Sequence, residues 1–302
     1  MALSLAIGDY PHTNAFRVRK LESTSIDFVE VNNPVPTYFR RMIRDGEFDI
    51  CEMGITTYFA AMKCGADFVG LPIFTTTGYP FKNIVINTAA NVESVKDLEG
   101  KRVAARTYTV TAVVWARGLL QQLFDLDIDN VTWVINDFEH TKEFEWPRNV
   151  ELLEGADLSA MIDSGEVAAG VGIYRGEGDN VKPLFVDPLT LEQICFEETQ
   201  IFPLNHCLMV KRELLESSES ALSEIYHAFD ATRQSYFDAT PASGGASQGQ
   251  QWAPPPLEYG VSANRAALDA LRSISIEQQI LPEHYQLDDL FWEPSSTRSS
   301  GN

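Results

Sequence analysis

Segments with the pattern of β-strands and of helices alternate through the first eighty residues. Strands are predicted at 3–8, 27–31, 48–53 and 67–74, and helices at 34–44 and 56–64. The first helix has apolar residues at helical spacing, a proline at its start and Asp45-Gly46 at its end, which is typical helix punctuation. This order predicts an α/β fold with a mainly parallel sheet that helices cover on both faces.

A second unit of the same kind begins near Phe81. Its predicted elements are strands at 81–87, 101–105, 131–135 and 167–173 and helices at 109–124, 156–164 and 189–199. The chain then returns through a strand at 202–210 and long helices at 213–238 and 261–279, which a loop rich in Gly, Ser, Gln and Pro separates. A chain of 302 residues is long enough for two lobes of this size.

The charge excludes several classes of partner. The chain has 23 basic and 43 acidic residues, a formal net charge of −20. A nucleic-acid partner needs a basic surface, and an anionic membrane attracts basic segments. We therefore expect neither nucleic acid nor membrane as a partner. A homo-oligomer is left open.

The termini and the cysteines point to the cytoplasm. The N-terminal segment has no basic residues before its apolar stretch, which ends at Asp9, so it makes a poor signal peptide. The four cysteines, Cys51, Cys64, Cys195 and Cys207, form no C-x-x-C pair, which is unlike a zinc or thioredoxin-type site. We expect reduced thiols in a cytoplasmic protein.

Four segments in order resemble the 4,5-dihydroxyphthalate decarboxylase family. They are Gly-Asp-Tyr-x-x-Thr at 8–13, Gly-Glu-Phe-Asp-Ile-Cys-Glu-Met at 46–53, Thr-Ala-Val-Val-Trp-Ala-Arg-Gly at 111–118 and Ile-Phe-Pro-Leu-Asn-His at 201–206. The resemblance covers roughly residues 3–292. It implies a two-lobed fold like that of type II periplasmic binding proteins, with lobe 1 formed by 1–82 and 206–302, lobe 2 by 83–205, and a ligand cleft between them.

The resemblance also implies a chemistry. Decarboxylation of a hydroxylated benzoate needs a proton on the carbon that bears the carboxyl group and a ring oxygen that pushes electrons toward that carbon. The ring itself takes up the electrons, so no cofactor is implied. The expected partner is a small anionic aromatic substrate such as 4,5-dihydroxyphthalate. The alternative is a non-catalytic solute-binding protein of the type II class, because the same fold serves both purposes.

Three residues are candidates for catalysis. His12 follows the first strand and has an imidazole suited to proton transfer, and His206 lies in the strand that returns to lobe 1. Glu52 ends an apolar strand, where a carboxylate is either paired or functional. Surface or structural roles remain the alternatives for the histidines, and a structural ion pair is the alternative for Glu52. His140 lies in a polar stretch, and we expect no role for it.

The candidates for substrate binding are cationic, hydroxyl-bearing or near strand ends. Arg106 ends a strand just before a helix whose first N–H groups attract anions, and its guanidinium suits a carboxylate. The other predicted binding residues are Asp9, Tyr10, Lys82, Tyr108, Thr109, Thr111 and Arg175. For Arg117, inside the helix, a solvated salt bridge is the expectation. No spacing of His, Cys, Asp or Glu matches a metal-ligand signature, so we expect no metal site.

Overall fold

A computed structural model describes residues 3–14, 26–28, 35–174, 176, 178–239 and 252–294. Eleven strands are assigned within these residues. In chain order they are β1 (Leu3–Ala6), β2 (Ile26–Phe28), β3 (Ile50–Gly54), β4 (Phe68–Thr77), β5 (Ile84–Asn87), β6 (Arg102–Ala104), β7 (Thr132–Ile135), β8 (Val150–Leu152), β9 (Ala169–Val171), β10 (Val181–Pro183) and β11 (Leu204–Lys211).

The helices fill the segments between the strands. They are α1 (Val35–Asp45), α2 (Ile55–Lys63), α3 (Thr111–Phe124), α4 (Leu158–Ser164), α5 (Pro188–Thr199), α6 (Leu214–Ser217), α7 (Glu219–Ala239), α8 (Arg265–Glu277) and α9 (Leu287–Leu290). A helical turn also covers residues 11–14. Among the residues described, no helix is long and apolar enough to cross a membrane.

The strands form two separate sheets. One has the order β2-β1-β3-β11-β4, and the other has the order β10-β5-β9-β6-β7-β8. The sequence predicted a mainly parallel sheet, and this prediction is wrong for the strands that pair with β5 and β11. Strand β11 runs antiparallel to β3 and β4, and β5 runs antiparallel to β9 and β10. Both β5 and β11 carry the chain between the sheets, so neither is the product of a simple strand–helix–strand crossover.

Most predicted elements are confirmed, with shifted ends. Helix α3 and strand β7 lie within the predicted ranges, whereas the predicted strand at 81–87 opens with a 3-10 turn over Phe81–Asn83. The long helix predicted at 213–238 is two helices, α6 and α7. Strands β8 and β10 were not predicted, because both lie at the edges of their sheet with half-buried or exposed residues and therefore have no apolar run.

The two sheets are tied together by α3, which follows β6 in the second sheet and packs on α8 near the C-terminus. A side chain at Gly118 of α3 would collide with Ile274 of α8, whose nearest atom would lie 2.7 Å from the added Cβ. Glycine is therefore required for this close approach. Strands β5–β10 all lie within 83–205, and the predicted lobe boundaries themselves stay a prediction.

Candidate active site

A cleft of about 1020 Å³ is lined by residues from both sheets and from the segments that follow their strands. Its walls include Gly54 at the end of β3, Asn136 just after β7 and Gly172 just after β9. Open α/β sheets bind ligands beyond the carboxyl ends of their strands, where loops and helix starts converge. The volume is sufficient for a substituted aromatic ring.

The imidazole of His206 reaches this cleft from β11. His206 pairs with Gly54 across the antiparallel register of β11 and β3, and its ring lines the cleft wall. Its Nδ1 lies 2.7 Å from Oε1 of Glu52, which precedes Gly54 by two residues on β3. The carboxylate accepts a hydrogen bond from Nδ1–H of His206. Nε2 is therefore the nitrogen that a ligand in the cleft can contact.

Glu52 is fully buried and is the centre of a polar network. Its carboxylate accepts hydrogen bonds from the Gly8 N–H (2.8 Å) and from the hydroxyls of Tyr10 (2.5 Å), Tyr38 (2.9 Å) and Thr75 (2.8 Å) in addition to His206. Burial alone would raise the pKa of Glu52. The hydrogen bonds from His206, Tyr10 and Gly8 and the charge of His206 outweigh burial and lower the pKa to about 2. Glu52 is therefore an anion held in one orientation at neutral pH.

The first turn of α3 forms another wall of the cleft. Residues 110–113 line it, and helix N-termini carry free N–H groups and partial positive charge that favour anions. The turn is fixed to α2, because the hydroxyl of Thr56 donates to the Thr109 carbonyl at 2.7 Å. Gly54 permits this contact: a Cβ there would lie 3.1 Å from the Thr111 hydroxyl. His206, beside Gly54, is thus placed next to a site suited to a carboxylate.

A cationic corner closes one end of the cleft. Arg106, half-buried after β6, lies 3.7 Å from Asp137, and Arg40 of α1 lies 3.2 Å from the same carboxylate. Arg106, Asp137 and His140 all line the cleft. Two guanidinium groups share one carboxylate here, so the corner keeps a net positive charge in a chain whose overall charge is −20.

His140 is a site residue that the sequence analysis missed. Its ring is buried and lies edge-on to Phe39, whose ring also contacts His206. Burial and the charges of Arg106 and Arg40 lower the pKa of His140 to about 3, so it is uncharged at neutral pH. No periodicity or motif marks this position, since it lies in an irregular loop after β7.

His12, a predicted catalytic residue, is not among the described residues that line the cleft. Its ring stacks on Tyr10 with centroids 5.7 Å apart and lies edge-on to Tyr236. Burial lowers the pKa of His12 to about 4, against the opposing effect of the Glu52 charge. Tyr10 contacts Glu52 directly, whereas Asp9 is exposed at the surface.

The predicted binding residues divide between the cleft and its support. Arg106 and Thr111 line the cleft. Tyr108 and Thr109 are buried beneath it, where their N–H groups and the Thr109 hydroxyl donate to the carboxylate of Glu139. Burial raises the pKa of Glu139.

Two further predicted residues lie elsewhere. Lys82 is exposed and lines a smaller neighbouring cavity of about 370 Å³, together with Glu192. Arg175 lies outside the described residues. Within the described ranges, no group of three or more His, Cys, Asp or Glu side chains is placed to hold a metal ion.

The expectation of a solvated salt bridge at Arg117 is wrong. The side chain is fully buried, donates to the Gln278 side chain (2.7 Å) and to the Tyr108 carbonyl (2.6 Å), and stacks over the Tyr108 ring at 3.8 Å. Burial lowers the pKa of Arg117. Helix α3 is covered by α8 on this face, so the guanidinium braces the loop before α3 instead of meeting solvent.

Comparison with known proteins supports the resemblance seen in the sequence. A 4,5-dihydroxyphthalate decarboxylase of Comamonas testosteroni is 25% identical over 248 residues, which cover 77% of this chain and 75% of that protein. One of Pseudomonas putida is 29% identical over 180 residues, covering 56% and 69%. No protein-family model matches the chain.

Solved structures identify the fold. The alkanesulfonate-binding protein SsuA of Xanthomonas axonopodis pv. citri, bound to MOPS, aligns with a TM-score of 0.54 at 16% identity over 96% of this chain and 98% of that one. The periplasmic aliphatic sulphonate binding protein SsuA of Escherichia coli gives 0.55 at 16% identity over 100% and 94%. The desulfurization enzyme DszB gives 0.51 at 13% identity over 96% of each chain. The fold is that of the type II periplasmic binding proteins. This fold class, predicted from the sequence, is confirmed.

Proposed function

We propose that this protein is a decarboxylase for a small hydroxylated aromatic carboxylate of the 4,5-dihydroxyphthalate type. The observation that carries the proposal is the Glu52–His206 pair. A binding protein needs donors that match its ligand, but it has no need of an imidazole whose inner nitrogen is held by a buried carboxylate while the outer one faces the ligand. The curated relatives with the same activity in their names support this choice.

The proposed reaction uses the ring as its own electron store. An ionised ring oxygen para to the carboxyl group becomes a carbonyl as its electron pair moves through the ring to the carboxyl-bearing carbon. That carbon takes a proton from Nε2 of His206. The carbon–carboxyl bond then breaks, CO2 leaves, and its electron pair restores the aromatic ring and the phenolate. Glu52 stabilises the imidazolium before the transfer and fixes the ring orientation throughout.

The substrate carboxylate has a matching site beside His206. The first turn of α3 offers N–H groups, and the Arg106 guanidinium offers two parallel donors. Arg106 is about 39% exposed, so its charge is screened beyond a Debye length of about 8 Å at physiological salt and acts locally. In a strongly acidic chain this local charge is what retains an anionic ligand.

The second candidate is a non-catalytic solute-binding protein, which the two SsuA structures favour through their fold alone. Fold does not decide between an enzyme and a binder, since DszB shares the same architecture. The buried network around Glu52 distinguishes an enzyme from a binding protein. It orients a proton-transfer group, although burying the Glu52 carboxylate carries a considerable desolvation cost.

The test is a panel of substrates with CO2 as the readout. Purified protein is incubated with 4,5-dihydroxyphthalate, 4-hydroxybenzoate and 3,4-dihydroxybenzoate, with phthalate as the matched compound that lacks a hydroxyl group. We expect CO2 from at least one hydroxylated compound and none from phthalate. Tight, reversible binding of one compound without CO2 release from any of them would favour the binding-protein alternative.

A further inference from the structure

Two imidazoles share one phenyl ring in the wall of the cleft. The ring of Phe39 has the centroid of His206 at 5.4 Å and that of His140 at 5.7 Å, both in edge-to-face contact. All three residues line the cleft. A single small aromatic molecule in the cleft can therefore approach both histidines at once, whereas the proposed reaction uses only His206.

The environment of His140 fixes which of its nitrogens carries the proton. Nδ1 is buried and has no hydrogen-bond partner among the described residues. A buried N–H without an acceptor is rare and costly, so Nδ1 carries the lone pair of the uncharged ring and Nε2 carries the proton. His140 is thus an N–H donor on the cleft wall while its ring is uncharged. His206 differs, because its Nδ1 proton is committed to Glu52 and it can donate from Nε2 only as the imidazolium.

The charges around His140 come from two parts of the fold. Arg40 and Arg44 extend from α1, and Arg106 and Asp137 belong to the second sheet's loops. Arg44 donates to the main-chain carbonyl of His140 itself at 3.0 Å, which fixes the backbone that carries the ring. The carboxylates of Glu154 and Asp157 also line the cleft, and the Glu139 carboxylate accepts hydrogen bonds from Tyr108, Thr109 and Trp146. Among the charges that act on His140 itself, three guanidinium groups outweigh the carboxylate of Asp137, so an anionic oxygen next to His140 lies in a positive field.

We propose that His140 donates a hydrogen bond from Nε2 to the ring oxygen of the substrate and, with the arginines beside it, favours the ionised form of that oxygen. The phenol proton goes to water and the oxygen becomes the phenolate whose electron pair the reaction uses. An uncharged imidazole suits this role, because its N–H donates a hydrogen bond to the phenolate oxygen but does not give up the proton. The inference rests on the proposed function for its choice of an aromatic ligand.

The test reads ionisation of a bound phenol without any turnover. The probe is 4-hydroxy-3-nitrobenzoate, whose visible absorption rises when its hydroxyl group ionises, and 3-nitrobenzoate is the matched compound without the hydroxyl group. We expect the ionisation midpoint of the probe bound to wild-type protein to lie about one pH unit below that of the free probe, the size of one hydrogen bond to a charged group.

Two substitutions at one position separate the donor from the volume. His140→Leu removes the donor, and we expect the midpoint of the bound probe to return to that of the free probe. His140→Gln keeps an N–H donor and should keep most of the shift. Both variants should still bind 3-nitrobenzoate, which would show that the cleft itself is intact.

Several results would overturn the role of His140. They are an unshifted midpoint in the wild-type complex, an equal shift in His140→Leu, and no binding of the probe to wild-type protein. If His140→Leu does not fold, the loss of the shift in His140→Gln would contradict the proposal on its own. A shifted midpoint in a protein that releases no CO2 from any substrate would refute the decarboxylase proposal and leave the phenolate site intact.

Discussion

Replacing Glu52 by glutamine tests the buried network that underlies the site. The substitution keeps the shape of the side chain but removes the charge that five donors surround. The pKa of Glu52 is lowered from 4.5 to about 2 in the folded protein. A shift of that size corresponds to about 3 kcal/mol of stability at neutral pH, at 1.36 kcal/mol per unit. In glutamine an NH2 group replaces one carboxylate oxygen and faces the groups that donate to that oxygen in the wild type. This mismatch lowers the stability further.

The sign of the pH dependence follows from the direction of the shift. Because the folded-state pKa lies below the ordinary value, the carboxylate stabilises the fold above about pH 4.5, and this contribution is lost as the pH falls toward 2. Urea unfolding of wild-type protein and Glu52→Gln at pH 7 should therefore differ by about 3 kcal/mol, and the difference should shrink on acidification.

Glu139→Gln is the matched control, because Glu139 is equally buried but its pKa is raised by burial. Ionisation of Glu139 opposes folding at neutral pH, so the glutamine variant should lose clearly less stability than Glu52→Gln. Equal losses for the two variants, or a loss below about 1 kcal/mol for Glu52→Gln, would refute the reasoning.

Three further substitutions test neighbouring parts of the site. Tyr10→Phe removes a hydrogen bond to Glu52, so the acid limb of a pH–stability curve should move to higher pH, with a loss of about 1.5 kcal/mol at pH 7. Gly54→Ala brings a Cβ within 3.1 Å of Thr111 and should displace the first turn of α3, which equilibrium binding of substrate would detect as weaker affinity. Arg117→Met leaves two buried acceptors unpaired and should cost about 3 kcal/mol in urea unfolding; an unchanged midpoint would contradict the bracing role.

The sequence predicted the parts of the fold that depend on local pattern. Alternation of apolar strands with helices such as α2 and α3 gave two α/β units, and polar residues at strand ends placed Arg106 beside a helix start. These features depend on periodicity and on the geometry of parallel strands, which local sequence encodes. The directions of β5 and β11 depend on how the chain passes between sheets, and no local pattern records that.

The contact between Glu52 and His206 could not be predicted from local sequence patterns. Glu52 and His206 are 154 residues apart, and only the register of β11 against β3 brings them together. His140 lies in a loop without periodicity, so its contact with Phe39 left no signal. The prediction for Arg117 is wrong because a charged residue in a helix is usually solvated, whereas here α8 covers that face.

The rate of CO2 release by His206→Ala tests the central claim most directly. The comparison is with wild-type protein and with His284→Ala, which removes an exposed histidine. Loss of a positioned general acid reduces the rate by about 10² to 10⁴-fold. We expect His206→Ala to lose that much CO2 release while it still binds substrate and folds, and His284→Ala to match the wild type. Full CO2 release by His206→Ala would contradict the assignment of His206 as the proton donor.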